Sequence, residues 1–128
     1  MDYVTWEHYS SLYSVVQNQK EFDRLQKKAG VKIDIVTHMR AKSFEEKYSE
    51  ETATSFHRQM HAQIQNTACE LINTIYVQET SGMGTGVSSV SNDGYSETYK
   101  ITTADEKENQ LKSIIRMGLA GTGLVGVL

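Results

Sequence analysis

The sequence predicts a mainly α-helical fold, a small bundle of about four helices whose longest member runs over residues 51–79. Three observations predict it. Within residues 51–79, Phe56, Met60, Ile64, Thr67, Ala68, Leu71 and Ile75 recur at steps of three and four with no breaker between them. At roughly 100° per residue these positions share one stripe of a helix. The chain has no proline, so nothing covalent interrupts a helix interior. Asn18 with Glu21, and Thr103 with Glu106, have the spacing of a capping box, an N-cap acceptor followed three residues later by glutamate.

The helices follow in order. Thr5 is placed to cap a short first helix in which Trp6, Tyr9, Tyr13 and Val16 share a face. These aromatics suit an anchoring edge of the core, and their polar ends suit a subunit interface as well. A second helix runs from Asn18 to about Arg40 on the stripe Phe22, Leu25, Ala29, Ile33, Val36 and Met39. Gly30 sits on its flank, where another helix can approach closely. Residues 41–50 read as a polar connector carrying Phe44 and Tyr48. The long helix then opens with Glu50 and Glu51 in its first turn, where acids suit the dipole. Ala62, Cys69 and Tyr76 give it a second, weaker stripe, with Gln65 and Ile72 alongside. A helix apolar on two sides is packed on two sides, and in so short a chain the second neighbour suits another subunit.

The composition changes after Thr80. Gly82, Gly84 and Gly86 mark a loop, and residues 87–101 read as a short β-hairpin turning at Asn92-Asp93-Gly94. Such a hairpin is marginal in isolation and needs a surface to lean on. The last helix carries Leu111, Ile114, Ile115 and Leu119, and Gly121 suits a left-handed cap at its end. Residues 121–128 form an extended, apolar, glycine-loosened tail, either tucked into the core or inserted into a partner.

The 128 residues fit one domain, residues 1–120, with the tail at 121–128. A hydrophobic fraction of 38% implies a thin core, the kind often completed by oligomerisation. A net charge of −3 gives no overall pull toward nucleic acid. The lone Cys69 excludes an internal disulfide and fits a reducing cytoplasm. No run approaches the ~18 apolar residues of a membrane helix, and the start lacks a signal-peptide layout. The chain therefore reads as cytoplasmic, with no membrane partner.

No catalytic set emerges, and the expectation is a protein that is not an enzyme, with no cofactor and no metal. His57 and His61 have a zinc-compatible i, i+4 spacing, but Arg58 stands where a zinc protease carries its glutamate. Cys69 lies about 12 Å farther along the axis at 1.5 Å per residue, and faces elsewhere. It also has no histidine base on its own face. The glycines at 82, 84 and 86 lack the lysine and hydroxyl of a phosphate loop. Glu45, Glu46, Glu50 and Glu51 read as solvated charges. Arg24, Lys27, Lys28 and Lys32 form a basic face, interrupted by acids, that would serve a DNA-binding protein.

Four segments, in order, resemble the head-tail connector (head completion adaptor) proteins of long-tailed bacteriophages, particularly those of Gram-positive hosts. Thr5-Trp6-Glu7-His8-Tyr9 through Tyr13 is similar to that family's aromatic opening. Glu21-Phe22-Asp23-Arg24-Leu25, with Ile33, Asp34 and Thr37 as an I-D-x-x-T run, resembles its second helix. Residues 86–99, with Gly94-Tyr95-Ser96 and Tyr99, resemble its serine-rich segment. Leu119, Thr122, Gly123 and Leu124 resemble its L-x-x-T-G-L ending.

The resemblance implies a virion protein, assembled in the host cytoplasm. It would form a homo-oligomeric ring, often of twelve subunits, under the portal protein. The ring extends the DNA channel, through which DNA passes only as cargo, and docks a stopper or tail-completion protein. Portal binding would fall to the tail, through Gly121, Thr122, Gly123, Leu124, Val125, Val127 and Leu128. Subunit contacts would fall to Trp6, Tyr9, Tyr13, Cys69, Tyr76, Tyr95 and Tyr99. The alternative is a small helical DNA-binding or packaging-regulatory protein using the basic face.

Overall fold

The computed structural model describes residues 2–80 and 103–125. Five helices account for most of them: α1 (Trp6–Leu12), α2 (Gln19–Val36), α3 (Arg40–Lys47), α4 (Ser55–Thr80) and α5 (Ala104–Gly118). Among the described residues there is no strand. The expected hairpin at 87–101 lies outside them.

The 26-residue α4 is the axis, and α2 and α5 pack along it and on each other. Its expected stripe is buried from Met60 through Ile64, Thr67, Ala68, Leu71 and Ile75. Leu25 and Ile33 of α2, Ile115 of α5 and Leu119 just beyond it close over that stripe with no exposure at all. Each such side chain contributes about 1.5–3 kcal/mol on leaving water. Phe56 departs from the expectation and stays 52% exposed. Helix α5 runs antiparallel to α4, with Gln78 beside Lys107 and Gln110, and Gln63 beside Gly118 and Ala120. The first turn of α4 therefore projects beyond the end of α5.

Helix ends correct several expected boundaries. Thr5 caps α1, its hydroxyl accepting from the His8 N–H at 3.1 Å. The helix stops at Leu12, short of Val16, because the chain turns back and the Val16 N–H donates to the Tyr9 hydroxyl at 3.0 Å. Asn18 caps α2 by accepting from the N–H groups of Lys20 and Glu21. The Glu21 carboxylate goes to Arg24. Helix α4 begins at Ser55, later than expected, since Thr54 supplies the hydroxyl that accepts from the His57 N–H at 3.1 Å. Glu50 and Glu51 thus precede the helix. In α5 both arms of the Thr103–Glu106 capping box are present.

The stretch expected as a connector holds a helix of its own, α3. Helix α2 ends at Val36, and His38 and Met39 both take left-handed conformations, with φ of 54° and 66°. The buried Thr37 joins the two helices: its hydroxyl donates to the Ile33 carbonyl at 2.7 Å and accepts from the Ala41 N–H at 3.3 Å. The Met39 N–H reaches back to the Asp34 carbonyl at 2.8 Å, a wide closing bond of the kind that ends helices. Helix α3 then turns Ala41 fully into the core.

The tail, expected to extend, folds back over its described part. Gly121 and Gly123 sit at φ of 83° and 81° on either side of Thr122. The Thr122 hydroxyl donates to the Leu119 carbonyl and accepts from the Leu124 N–H. Leu124 is left only 6% exposed, and Val125 packs against the core.

Candidate functional site

The residues assigned to subunit contact divide into three groups. Tyr9 and Cys69 are fully buried within the chain's own core. Trp6, Tyr13 and Tyr76 are half-buried at its edge. Tyr95 and Tyr99 lie outside the described residues. The middle of the second stripe of α4, at Cys69 and Ile72, is buried beside the N-terminal segment, while Ala62 is exposed: Tyr9 donates to Asn73 Oδ1, and its ring lies against those of Trp6, Tyr13 and, from α2, Phe22. The face of Cys69, Ile72 and Asn73 thus has an intramolecular neighbour. What remains open is the rim, where Val15, itself exposed, shares a groove of about 330 Å³ with Tyr76.

Burial also sets the chemistry of these groups. It pushes the Cys69 thiol up to about 11, so the thiolate that nucleophilic or metal chemistry needs is scarce at neutral pH. It raises Tyr9 and Tyr13 too, since an apolar surround disfavours the phenolate.

The basic face of α2 is tied into ion pairs. Arg24 meets Glu21 within its own helix and Glu79 of α4. Lys28 Nζ reaches the other Glu79 oxygen at 2.7 Å, and Lys32 Nζ sits 2.7 Å from Glu108 of α5. Hydrogen bonding from Arg24 is the main cause holding the Glu79 carboxyl down at about 2, with Lys28 adding to it and burial opposing. Three of the four cations assigned to DNA thus clamp the C-terminal part of α4 and the start of α5 onto α2.

His57 and His61 occupy the outer side of α4, facing α3. His61 Nδ1 lies 2.8 Å from Glu45 Oε2. The Tyr48 ring stacks on the His61 imidazole at 4.2 Å and 9°, and Phe44 meets His57 edge-on. Glu45, expected as a solvated charge, has a side chain only 10% exposed, because this cluster closes over it. Among the described residues no group of three His, Cys, Asp or Glu side chains converges to hold a metal. None of their helices is long and apolar enough to cross a membrane.

In the tail, Gly121 and Gly123 are exposed, Thr122 and Leu124 are buried and Val125 is half-buried. Val127 and Leu128 lie outside the described residues. Arg40, at the start of α3, donates through Nε to the Leu124 carbonyl at 3.0 Å. The side chains assigned to portal binding therefore include two that the chain uses to complete its own core.

One concavity escaped the sequence reading. A groove of about 610 Å³ runs between α2, α4 and α5, floored by Ile75 and Leu111 and edged by Val31, Lys28, Lys32 and Lys107. Its only sequence signal is Val31, which with Ile35 makes an exposed apolar pair at i, i+4 on the charged side of α2. A scan against protein-family models, a search of curated proteins and a search of solved structures each found no match to this chain.

Proposed function

We propose that this chain is a structural head-tail connector protein, a ring-forming adaptor under a phage portal. The observation that carries the reading is the order of four motifs along one short chain: the aromatic opening, the I-D-x-x-T run, the serine-rich segment and the L-x-x-T-G-L ending. Two of these motifs coincide with structural joints, which supports the reading at the level of the fold. Asp34 accepts from the Tyr3 hydroxyl and Thr37 bridges α2 and α3. Thr122 builds the turn that returns Leu124 to the core.

The mechanism on this reading is burial between neighbouring copies and against the portal. Tyr13 and Val15 of the N-terminal edge, with Tyr76 of α4, are accessible and serve the lateral contact. Docking on the portal falls to the end of the tail. The deciding experiment mixes the purified protein with a purified portal protein from the same genome and images the product by electron microscopy. A ring of added density under the portal is expected, and portal particles without it would overturn the proposal. A truncation after Val125 keeps Leu124 in place, and it should fold normally yet lose most of that density. The DNA-binding alternative is weakened by the ion pairs of Arg24, Lys28 and Lys32. Tight, steeply salt-dependent binding to duplex DNA would restore it.

A further inference from the structure

The break between α2 and α3 has no sequence cause of the usual kind. Residues 36–40 contain neither glycine nor proline, and the apolar stripe of α2 continues in register through Val36 to Met39. Two consecutive residues with Cβ atoms, His38 and Met39, are nevertheless held at positive φ, where that atom crowds the backbone. Met39, the next residue of the stripe, is left 48% exposed. A conformation of this kind persists only where the surroundings over-determine it.

Those surroundings are identifiable. Helix α3 is fastened to α4 by the Glu45–His61 contact at 2.8 Å and by the Tyr48 ring stacked on His61. Phe44 against His57 adds an edge contact. His61 is thus the shared partner of Glu45 in α3 and of Tyr48, the residue that caps its end. At its other end α3 holds the tail, through Arg40 and the Leu124 carbonyl.

We infer that α3 is a releasable arm: the His38–Met39 joint is a strained hinge, His61 is the catch that keeps it bent, and opening joins α2 and α3 into one continuous helix while releasing the tail segment at Leu124. Helix propagation across residues 37–39 replaces the left-handed pair with ordinary helical backbone and brings Met39 onto the stripe of Val36. The same swing withdraws Arg40 from Leu124. The arm therefore couples an event on the α3–α4 face to exposure of the tail. This inference stands on the geometry of the chain alone and does not require the connector reading.

The test uses the full chain with Cys69→Ser and spin labels at Asp23→Cys and Glu46→Cys, both exposed positions. A continuous helix places these 23 residues apart along one axis, about 35 Å at 1.5 Å per residue. The bent arrangement should give a single shorter distance. His61→Ala should add a second population near the long distance, with helical content by circular dichroism held or increased. Met39→Gly in the His61→Ala background should remove that population, since glycine accepts positive φ freely and disfavours a helix interior. A single short distance in His61→Ala, or a loss of helical signal showing that α3 melts instead of joining α2, would overturn the inference. Should His61→Ala fail to fold, the same readings in Glu45→Gln decide it.

Discussion

Tyr9 shows how much one side chain can organise in a thin core. Its hydroxyl accepts from the Val16 N–H and donates to Asn73, so it both ends the N-terminal segment and seats it on α4. Tyr9→Phe leaves two partners unpaired in a buried place, and a loss of about 1–3 kcal/mol is expected in chemical denaturation. Gly118 presents the opposite constraint. A Cβ there would stand 2.2 Å from Thr67 Oγ1 and 3.2 Å from Thr67 Cβ. Gly118→Ala should therefore cost about 1–3 kcal/mol by overpacking. Adding Thr67→Ala removes the nearer atom, and a double-mutant cycle should return a favourable coupling. Neither residue could be ranked so highly from the sequence. The stripe marks Thr67 as a buried position, but only the approach of α5 shows why residue 118 has no side chain.

At the level of the helices, legibility followed the strength of the local signal. The α4 stripe and the Thr103–Glu106 capping box depend on contacts within a few residues, and both were readable. The end of α2 was not, because the apolar period continues past the place where the chain bends. What overrides it is partly tertiary: the Thr37 bonds to Ile33 and Ala41 are local, but Ala41 is buried in the core and His61, which holds Glu45, lies on another helix. The strain at this joint gives an independent prediction. Met39→Gly in the otherwise unchanged protein should raise stability by about 1 kcal/mol, since a left-handed residue with a Cβ costs roughly 1–2 kcal/mol and glycine does not bear it. The tail's two alternatives were likewise undecidable from composition. Leu124→Ala should now cost about 2 kcal/mol or more, the low end of a buried leucine truncation, because a chain end can partly collapse onto the space.

Across the whole molecule, Glu79 is the charge that ties α4 to α2 through Arg24 and Lys28, and it gives the fold a defined response to acid. Its carboxyl lies at about 2 rather than the ordinary 4.5, so it binds fewer protons folded than unfolded across that interval. Its contribution is present above about 4.5 and is lost as pH falls toward 2. Glu79→Gln should therefore cost up to about 1 kcal/mol at neutral pH, as exposed ion pairs do, and should match the unaltered protein at the acid end of a titration. The composition showed a solvated basic face with acids nearby, but the Glu79 and Glu108 partners come from α4 and α5, and no local pattern could supply them. The placement of Tyr3 and Leu124 has a mechanical consequence. Tyr3 is fastened to Asp34 and the Leu124 carbonyl to Arg40, only six residues apart in sequence and on either side of one joint. A pull applied at Tyr3 and Leu124 would be met at that corner, by those two hydrogen bonds together with the core packing of both side chains.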